Sequence, residues 1–117
     1  MGSTRINIDN CRIENNRDFG VHLTEFGRVV ISNSQIQSNG FRIPVSGPST
    51  PGAGIVMEDS VQLRVIDSVI ANNFGPGLHN QTAMGTNAVL YQVSLHFNNP
   101  NILGGAVIAP NPNVSDQ

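Results

Sequence analysis

Lysine and tryptophan are absent from this chain, cysteine and tyrosine occur once each, and charged side chains make up only 12% of its 117 residues. Each shortage removes a class of explanation. A lone cysteine, Cys11, leaves no intrachain disulfide framework to hold a fold together. The six arginines are scattered along the chain and the net charge is −2, so no basic stripe is expected and nucleic acid is not an expected partner. No apolar run approaches the roughly 20 residues of a membrane-spanning helix, so no membrane partner is expected either. The opening MGSTRINI has neither the basic nor the apolar region of a secretory signal, and none is expected within this chain. The length suits a single domain with one modest core.

Gly, Asn and Ser fill the polar quota that charge leaves open. Few charges suit a chain whose backbones stack closely, because like charges repeated at strand spacing repel. The stretch VVISNSQIQSNG, from Val29 to Gly40, shows how the amides are used: apolar residues alternate with Ser, Asn and Gln, and the run ends on Asn-Gly. Ile6, Ile8, Cys11, Ile13 and Asn16 align with Val29, Ile31, Ser34, Ile36 and Asn39 at an offset of 23. Leu63, Val65, Ser68, Ile70 and Asn73 align at a further 34, and Ala88, Leu90, Val93, Leu95 and Asn98 at a further 25. A second phrase follows each ladder of positions: GVHL at Gly20, GIVM at Gly54, GLHN at Gly77 and, as a fourth copy, GAVI at Gly105. Between Asn39 and Gly54 lie 11 residues more than in the neighbouring units, and removing them restores the period of 23. The excess falls in FRIPVSGPSTPGA, Phe41 to Ala53, whose three prolines and Ser-Gly-Pro-Ser cluster mark an inserted loop.

Steps of two along each unit read as strands with alternate residues inward, and the step of three between Ile8 and Cys11 reads as a bend in which Asn10 turns outward. Three short strands and three turns in about 23 residues form one coil of a solenoid, stacked on the next at about 4.8 Å. The phrases I-x-NC-x-I-x-x-N at Ile8, I-x-NS-x-I-x-x-N at Ile31, V-x-DS-x-I-x-x-N at Val65 and the degenerate L-x-QV-x-L-x-x-N at Leu90 resemble the right-handed parallel β-helix repeat family, the coil of pectate-lyase-like proteins, mannuronan epimerases and phage tailspikes. The expected fold is therefore all-β: a right-handed parallel β-helix of about four coils and three short parallel sheets. It spans residues 5–108 within a single domain, with the loop at 41–53 and a C-terminal tail at 109–117.

Asn16, Asn39, Asn73 and Asn98 recur at one turn. There they form either a ladder of amides bonded from rung to rung, for which the family is known, or surface turns bonded to their own backbone. Asn also tolerates the left-handed backbone that a tight turn demands. Cys11, Ser34, Ser68 and Val93 make an inward column of small residues, and Cys11 is expected to be a buried spacer rather than a reactive thiol.

The outward rows carry the candidate function. On the GVHL sheet they are His22, Val56, His79 and then Thr24, Glu58, Gln81. His22, Thr24, Glu58, His79 and Gln81 are the candidate ligand-binding residues, and His22, Glu58 and His79 the candidate acid–base groups; the alternative is an ordinary solvated face. The resemblance implies sugar binding on this fold and an extracellular or virion-associated setting. Its catalytic patterns each fail on a required residue. No Lys base or acidic calcium cluster is present, the outward Asp are dispersed, Tyr91 falls on another sheet, and the calcium-binding glycine-aspartate nonapeptides are missing. No metal or other cofactor is expected. The outward residues Ile66, Val69, Val89 and Tyr91 are apolar and need a cover. The tail PNILGGAVIAPNPNVSDQ, another subunit, or a one-residue slip of register would each account for them. NQT at Asn80 and NVS at Asn113 match glycosylation acceptors, triplets that an Asn-rich chain also produces by chance. The expected function is a non-catalytic structural or recognition module. Its partners would be a second copy or a neighbouring part of a parent protein, with a polysaccharide as the candidate ligand. The alternative is a small polysaccharide-active enzyme of lyase, epimerase or glycoside hydrolase type.

Overall fold

The computed structural model describes residues 5–24, 26–40, 52–58, 60–82, 87–98, 100–108 and 113–114. Its strands, in chain order, are β1 (Arg5–Asp9), β2 (Arg12–Glu14), β3 (Phe19–Leu23), β4 (Phe26–Ser32), β5 (Gln35–Gln37), β6 (Ala53–Met57) and β7 (Ser60–Ile66). The second half continues with β8 (Val69–Ala71), β9 (Leu78–Asn80), β10 (Ala88–Tyr91), β11 (Ser94–His96), β12 (Ile102–Leu103), β13 (Val107–Ile108) and β14 (Asn113–Val114). Every third strand pairs, always in parallel. The first sheet runs β1-β4-β7-β10-β13, the second β2-β5-β8-β11-β14 and the third β3-β6-β9-β12. This is the parallel β-helix that the repeat implies, and among the described residues the inward columns of the first two sheets keep the expected register. Ile8, Ile31, Val65 and Leu90 are successive partners, as are Ile13, Ile36, Ile70 and Leu95.

Those columns are the core. Ile31, Ile36, Val65, Ile70, Leu90 and Leu95 are buried because each has a coil above and a coil below. Among the described residues the coil of β1 has a neighbour on one side only, so Ile6 is 44% exposed while its column partners Val29 and Leu63 are each 2% exposed. Cys11 shares that fate. It joins the inward column, its N–H donating to Ser34 Oγ at 3.1 Å, yet it is exposed rather than the buried spacer expected, because no coil among the described residues covers this rung.

The ladder of amides is present. Asn16 Nδ2 donates to Asn39 Oδ1 at 2.9 Å, Asn39 Nδ2 to Asn73 Oδ1 at 3.1 Å, and Asn73 Nδ2 to Asn98 Oδ1 at 2.8 Å. The second Nδ2 hydrogen of each interior member goes to a carbonyl of the coil before, Ile13 O for Asn39 and Ile36 O for Asn73. Close packing on this ladder explains the glycine that opens each GVHL phrase: a Cβ on Gly20, Gly54 or Gly77 would lie 2.8 Å from Nδ2 of Asn39, Asn73 or Asn98. The left-handed backbone sits one residue earlier than the ladder, at Asn15, Ser38, Asn72 and Phe97, and again at Asn10, Asn33, Asp67 and Gln92. The ladder residues are thus kept for hydrogen bonding, and their neighbours make the turns.

Three boundaries differ from the sequence reading. Ala53 belongs to β6, pairing with Phe19, and the loop is pinched off by Gly52 N–H donating to Gly40 O at 3.3 Å; residues 41–51 lie outside the described residues. The fourth copy of GVHL is Asn101-Ile102-Leu103, not GAVI, because the turn after Asn98 is shorter and Ile102 pairs with Leu78. GAVI instead feeds β13, and β13 and β14 extend two sheets into a fifth, incomplete rung. Val107–Ile108 therefore continues the stack and does not fold back over the outward face.

Ile31→Ala is expected to cost about 2–5 kcal/mol in urea unfolding, whereas Ile6→Ala, at the uncovered end, should cost about 1 kcal/mol or less. Asn73→Ala leaves buried amides unpaired and should cost about 2–4 kcal/mol. Equal losses at Ile6 and Ile31, or a neutral Asn73→Ala, would contradict the stacking account.

Candidate functional site

Because side chains alternate across each strand, a β-helix presents three outward faces whose rows run along the stack. On the third sheet His22, Val56, His79 and Leu103 form one row. His22 Nε2 donates to Glu58 Oε2 at 2.6 Å, and Phe19 packs against the imidazole with ring centroids 5.1 Å apart. His79 lies two rungs away and is engaged separately, its Nδ1 accepting from Gln81 Nε2 at 3.3 Å. Val56, read as solvated, is only 2% exposed, a short branched side chain between the His22 and His79 rungs. The face thus brings His22 to Glu58 and His79 to Gln81, leaves Thr24 outside both pairs and does not join the two histidines. Asn80, the first residue of the NQT triplet, is buried, with its Nδ2 donating to Gly105 O and its Oδ1 accepting from Thr82 N. That geometry has no room for a glycan. The side chain of Asn113 lies outside the described residues.

The first sheet holds a different assembly. An open groove of about 480 Å³ is lined by Arg28, Val30, Gln62, Arg64, Asn87 and Val89. Two adjacent columns build it. Arg5, Arg28 and Gln62 are register partners in one; Asn7, Val30, Arg64 and Val89 are partners in the next. Three of the six arginines therefore share one face, although they stand 23 and 36 residues apart in the chain. The expectation that the arginines are scattered is corrected here, because a period of 23 brings Arg5 beside Arg28, and the loop insertion brings Arg64 onto the following rung. Arg28 and Arg64 are exposed and have no ion-pair partner among the described residues. Val30 and Val89 give the groove an aliphatic floor on either side of Arg64, and Gln62 and Asn87 supply neutral amides.

The apolar residues expected to form one interface divide. Ile66 and Tyr91 are rung partners bordering the groove, Val89 lines it, and Val69 stands on the second sheet beside Gln35 and Ser94. Ile66, Val69 and Val89 are half-buried by their neighbours, and Tyr91 is 41% exposed. At the edge of the same face the Asp9 carboxylate accepts from Ser32 Oγ at 2.8 Å and Asn33 Nδ2 at 3.2 Å. Those two bonds, the Ser32 bond foremost, hold its carboxyl below the usual value of 3.8.

Arg5, Arg28, Gln62 and Asn87 were not among the candidates read from the sequence, and Asn101 was missing from the ladder. The signal for the arginines was available in the offset of 23 between Arg5 and Arg28. Asn101 carried none, because it occupies the glycine column. Among the described residues no group of three His, Cys, Asp or Glu side chains could hold a metal ion. A family model described as a right handed beta helix region matches residues 1–104. No curated protein and no solved structure matches the chain.

The Asp9 bonds favour the charged form in the fold, so they stabilise above the unfolded carboxyl's range and are lost as pH falls through the lower folded value. The stability gap between the wild type and Asp9→Asn should hold steady near neutrality and shrink below the ordinary value of 3.8, measured by chemical unfolding at stepped pH. A gap that does not change on acidification would show that Ser32 and Asn33 do not hold the charge.

Proposed function

Since the chain belongs to the right-handed β-helix family, a fold that hosts many chemistries, its function has to be argued from its faces, and we propose that it is a recognition module that binds an acidic polysaccharide along the groove of its first sheet. The observation that carries this reading is the gathering of Arg5, Arg28 and Arg64 on one face of a chain whose net charge is −2. Guanidinium groups offer planar, paired donors to carboxylates or sulfates. Rungs repeat at about 4.8 Å, a spacing comparable to one sugar residue, so a polymer lying along the stack meets a cationic or amide side chain at each step. Val30 and Val89 receive the apolar faces of sugar rings, and Gln62 and Asn87 bond hydroxyls.

Self-association belongs to the same proposal. Among the described residues β1, β2 and β3 are the end strands of their sheets, edges with which a further strand can pair, and several modules on one polymer would raise avidity. A second reading rests on one contact: His22 held by Glu58 at 2.6 Å is an oriented general base, which would make the third sheet the working face of a polysaccharide-active enzyme.

Titration calorimetry with a polyuronate, a sulfated glycan and a neutral glucan tests both readings. Binding to the acidic polymers is expected, weakening about tenfold or more for Arg28→Ala and for Arg64→Ala and falling as salt rises, with melting unchanged. No binding to either acidic polymer, or unaltered binding in both variants, would overturn the groove reading. Polymer turnover that disappears in His22→Ala would transfer function to the third sheet.

A further inference from the structure

We propose that Asn39-Gly40 is a latent deamidation site, sealed in the folded coil by the amide ladder and opened by unfolding, whose product cannot rejoin the ladder. Asn39-Gly40 is the only Asn-Gly pair in the sequence. A glycine after asparagine leaves its backbone nitrogen unshielded and its backbone free to turn inward. In the open chain the Gly40 nitrogen attacks Cγ of Asn39. The new N–Cγ bond closes a five-membered imide, the Cγ–Nδ2 bond breaks, and the nitrogen leaves as ammonia, taking up the Gly40 amide proton. Water then opens the ring at either carbonyl, leaving an aspartyl residue in place of Asn39 or its iso-aspartyl isomer. One water is consumed and one ammonia released, with no oxidant or reductant.

The fold blocks each part of this sequence. Gly40 N–H donates to Asn16 O at 2.8 Å, which commits the nucleophile. The Asn39 amide is held at every position it has. Its Nδ2 donates to Ile13 O and Asn73 Oδ1, both at 3.1 Å, and its Oδ1 accepts from Asn16 N at 3.2 Å and Asn16 Nδ2 at 2.9 Å. The side chain is fully buried, so it has neither the rotation to meet the Gly40 nitrogen nor the water to finish the reaction. Gly20 packs so closely that even a Cβ there would touch Nδ2.

The product is excluded for the same reason that the reactant is sealed. Replacing Nδ2 by oxygen sets it against Ile13 O and Asn73 Oδ1, two acceptors that need a donor, and buries a carboxylate without a cation. The iso-aspartyl form also adds a methylene to the backbone and breaks the register on both sides. A molecule that stays unfolded long enough to react is thereby removed from the folding population.

The test incubates the intact protein in mildly alkaline buffer, with and without guanidinium, and follows the tryptic peptide Val29–Arg42 by mass spectrometry, with fragmentation to separate Asn33 from Asn39. Asn39 should convert in denaturant. In native buffer it should convert slower by about a thousandfold or more, because reaction waits on an unfolded fraction of about 10⁻³ or less. After removal of denaturant the unmodified chains should refold and the converted ones should not. Asn39→Asp should lose its cooperative melting transition, whereas Asn72→Asp, on an exposed turn, should melt like the wild type. Equal conversion in native and denaturing buffer would overturn the sealing, and converted chains that regain the wild-type melting transition would overturn the exclusion.

Discussion

Every interior amide of the ladder satisfies two donors and two acceptor positions at once, which is the full capacity of an asparagine side chain. Asn73 shows the arrangement. Nδ2 reaches Asn98 Oδ1 and Ile36 O, while Oδ1 receives the N–H and Nδ2 of Asn39. Aspartate lacks the donors, and glutamine carries an extra methylene that displaces the amide from its partners. The period of 23 and the glycine column follow from this constraint, since the side chain must return to the same point on each coil and the strand opening next to it must have no Cβ. Asn101 ends the series by lending its Oδ1 to Asn98 Nδ2 at 2.9 Å, so the ladder terminates on a side chain from the glycine column. At the opposite turn a shorter series works alike: Ser68 Oγ accepts from Ser34 N, Ser34 Oγ accepts from Cys11 N, and Val93 closes it.

A register held in this way determines which distant residues meet. Outward positions do not set the register, so their neighbours across the rungs are decided by the inward columns. Arg5, Arg28 and Arg64 are brought together because Ile6, Val29 and Leu63 stack beneath them. The same rule brings Glu58 to His22 across 36 residues. The fold thus acts as a ruler, and the composition of each row decides what that face can bind. The first sheet carries cations and amides over an aliphatic floor. The third carries imidazoles, a carboxylate and Gln81.

Much of this was legible in the sequence because each coil has to repeat what its neighbour does. The inward columns, the ladder at Asn16, Asn39, Asn73 and Asn98, the three parallel sheets and the row from His22 to His79 all follow from periodicity. Periodicity treats every coil as equivalent, and the misreadings fall where that fails. Cys11 and Ile6 are inward yet exposed, because among the described residues their coil is stacked on one side only. GAVI matches the GVHL phrase yet leads into the first sheet, because the last turn is shorter and Asn101 replaces glycine. The arginine face stayed hidden because Arg64 lies two residues off the column of Arg28, so a comparison confined to single columns does not find it. The 2.6 Å approach of His22 to Glu58 depends on rotamers, which a row assignment does not specify.

The ladder is tested most directly by side-chain amide hydrogen exchange, followed by NMR at Nδ2 of Asn39, Asn73 and Asn98 with the exposed turn residue Asn72 as the reference. The three ladder amides are expected to exchange only through unfolding of the whole stack, with protection matching the slowest backbone amides of β5 and β8. Exchange of Asn39 or Asn73 at the rate of Asn72 would contradict it, because a ladder that opens locally cannot hold the register on which the arginine groove depends.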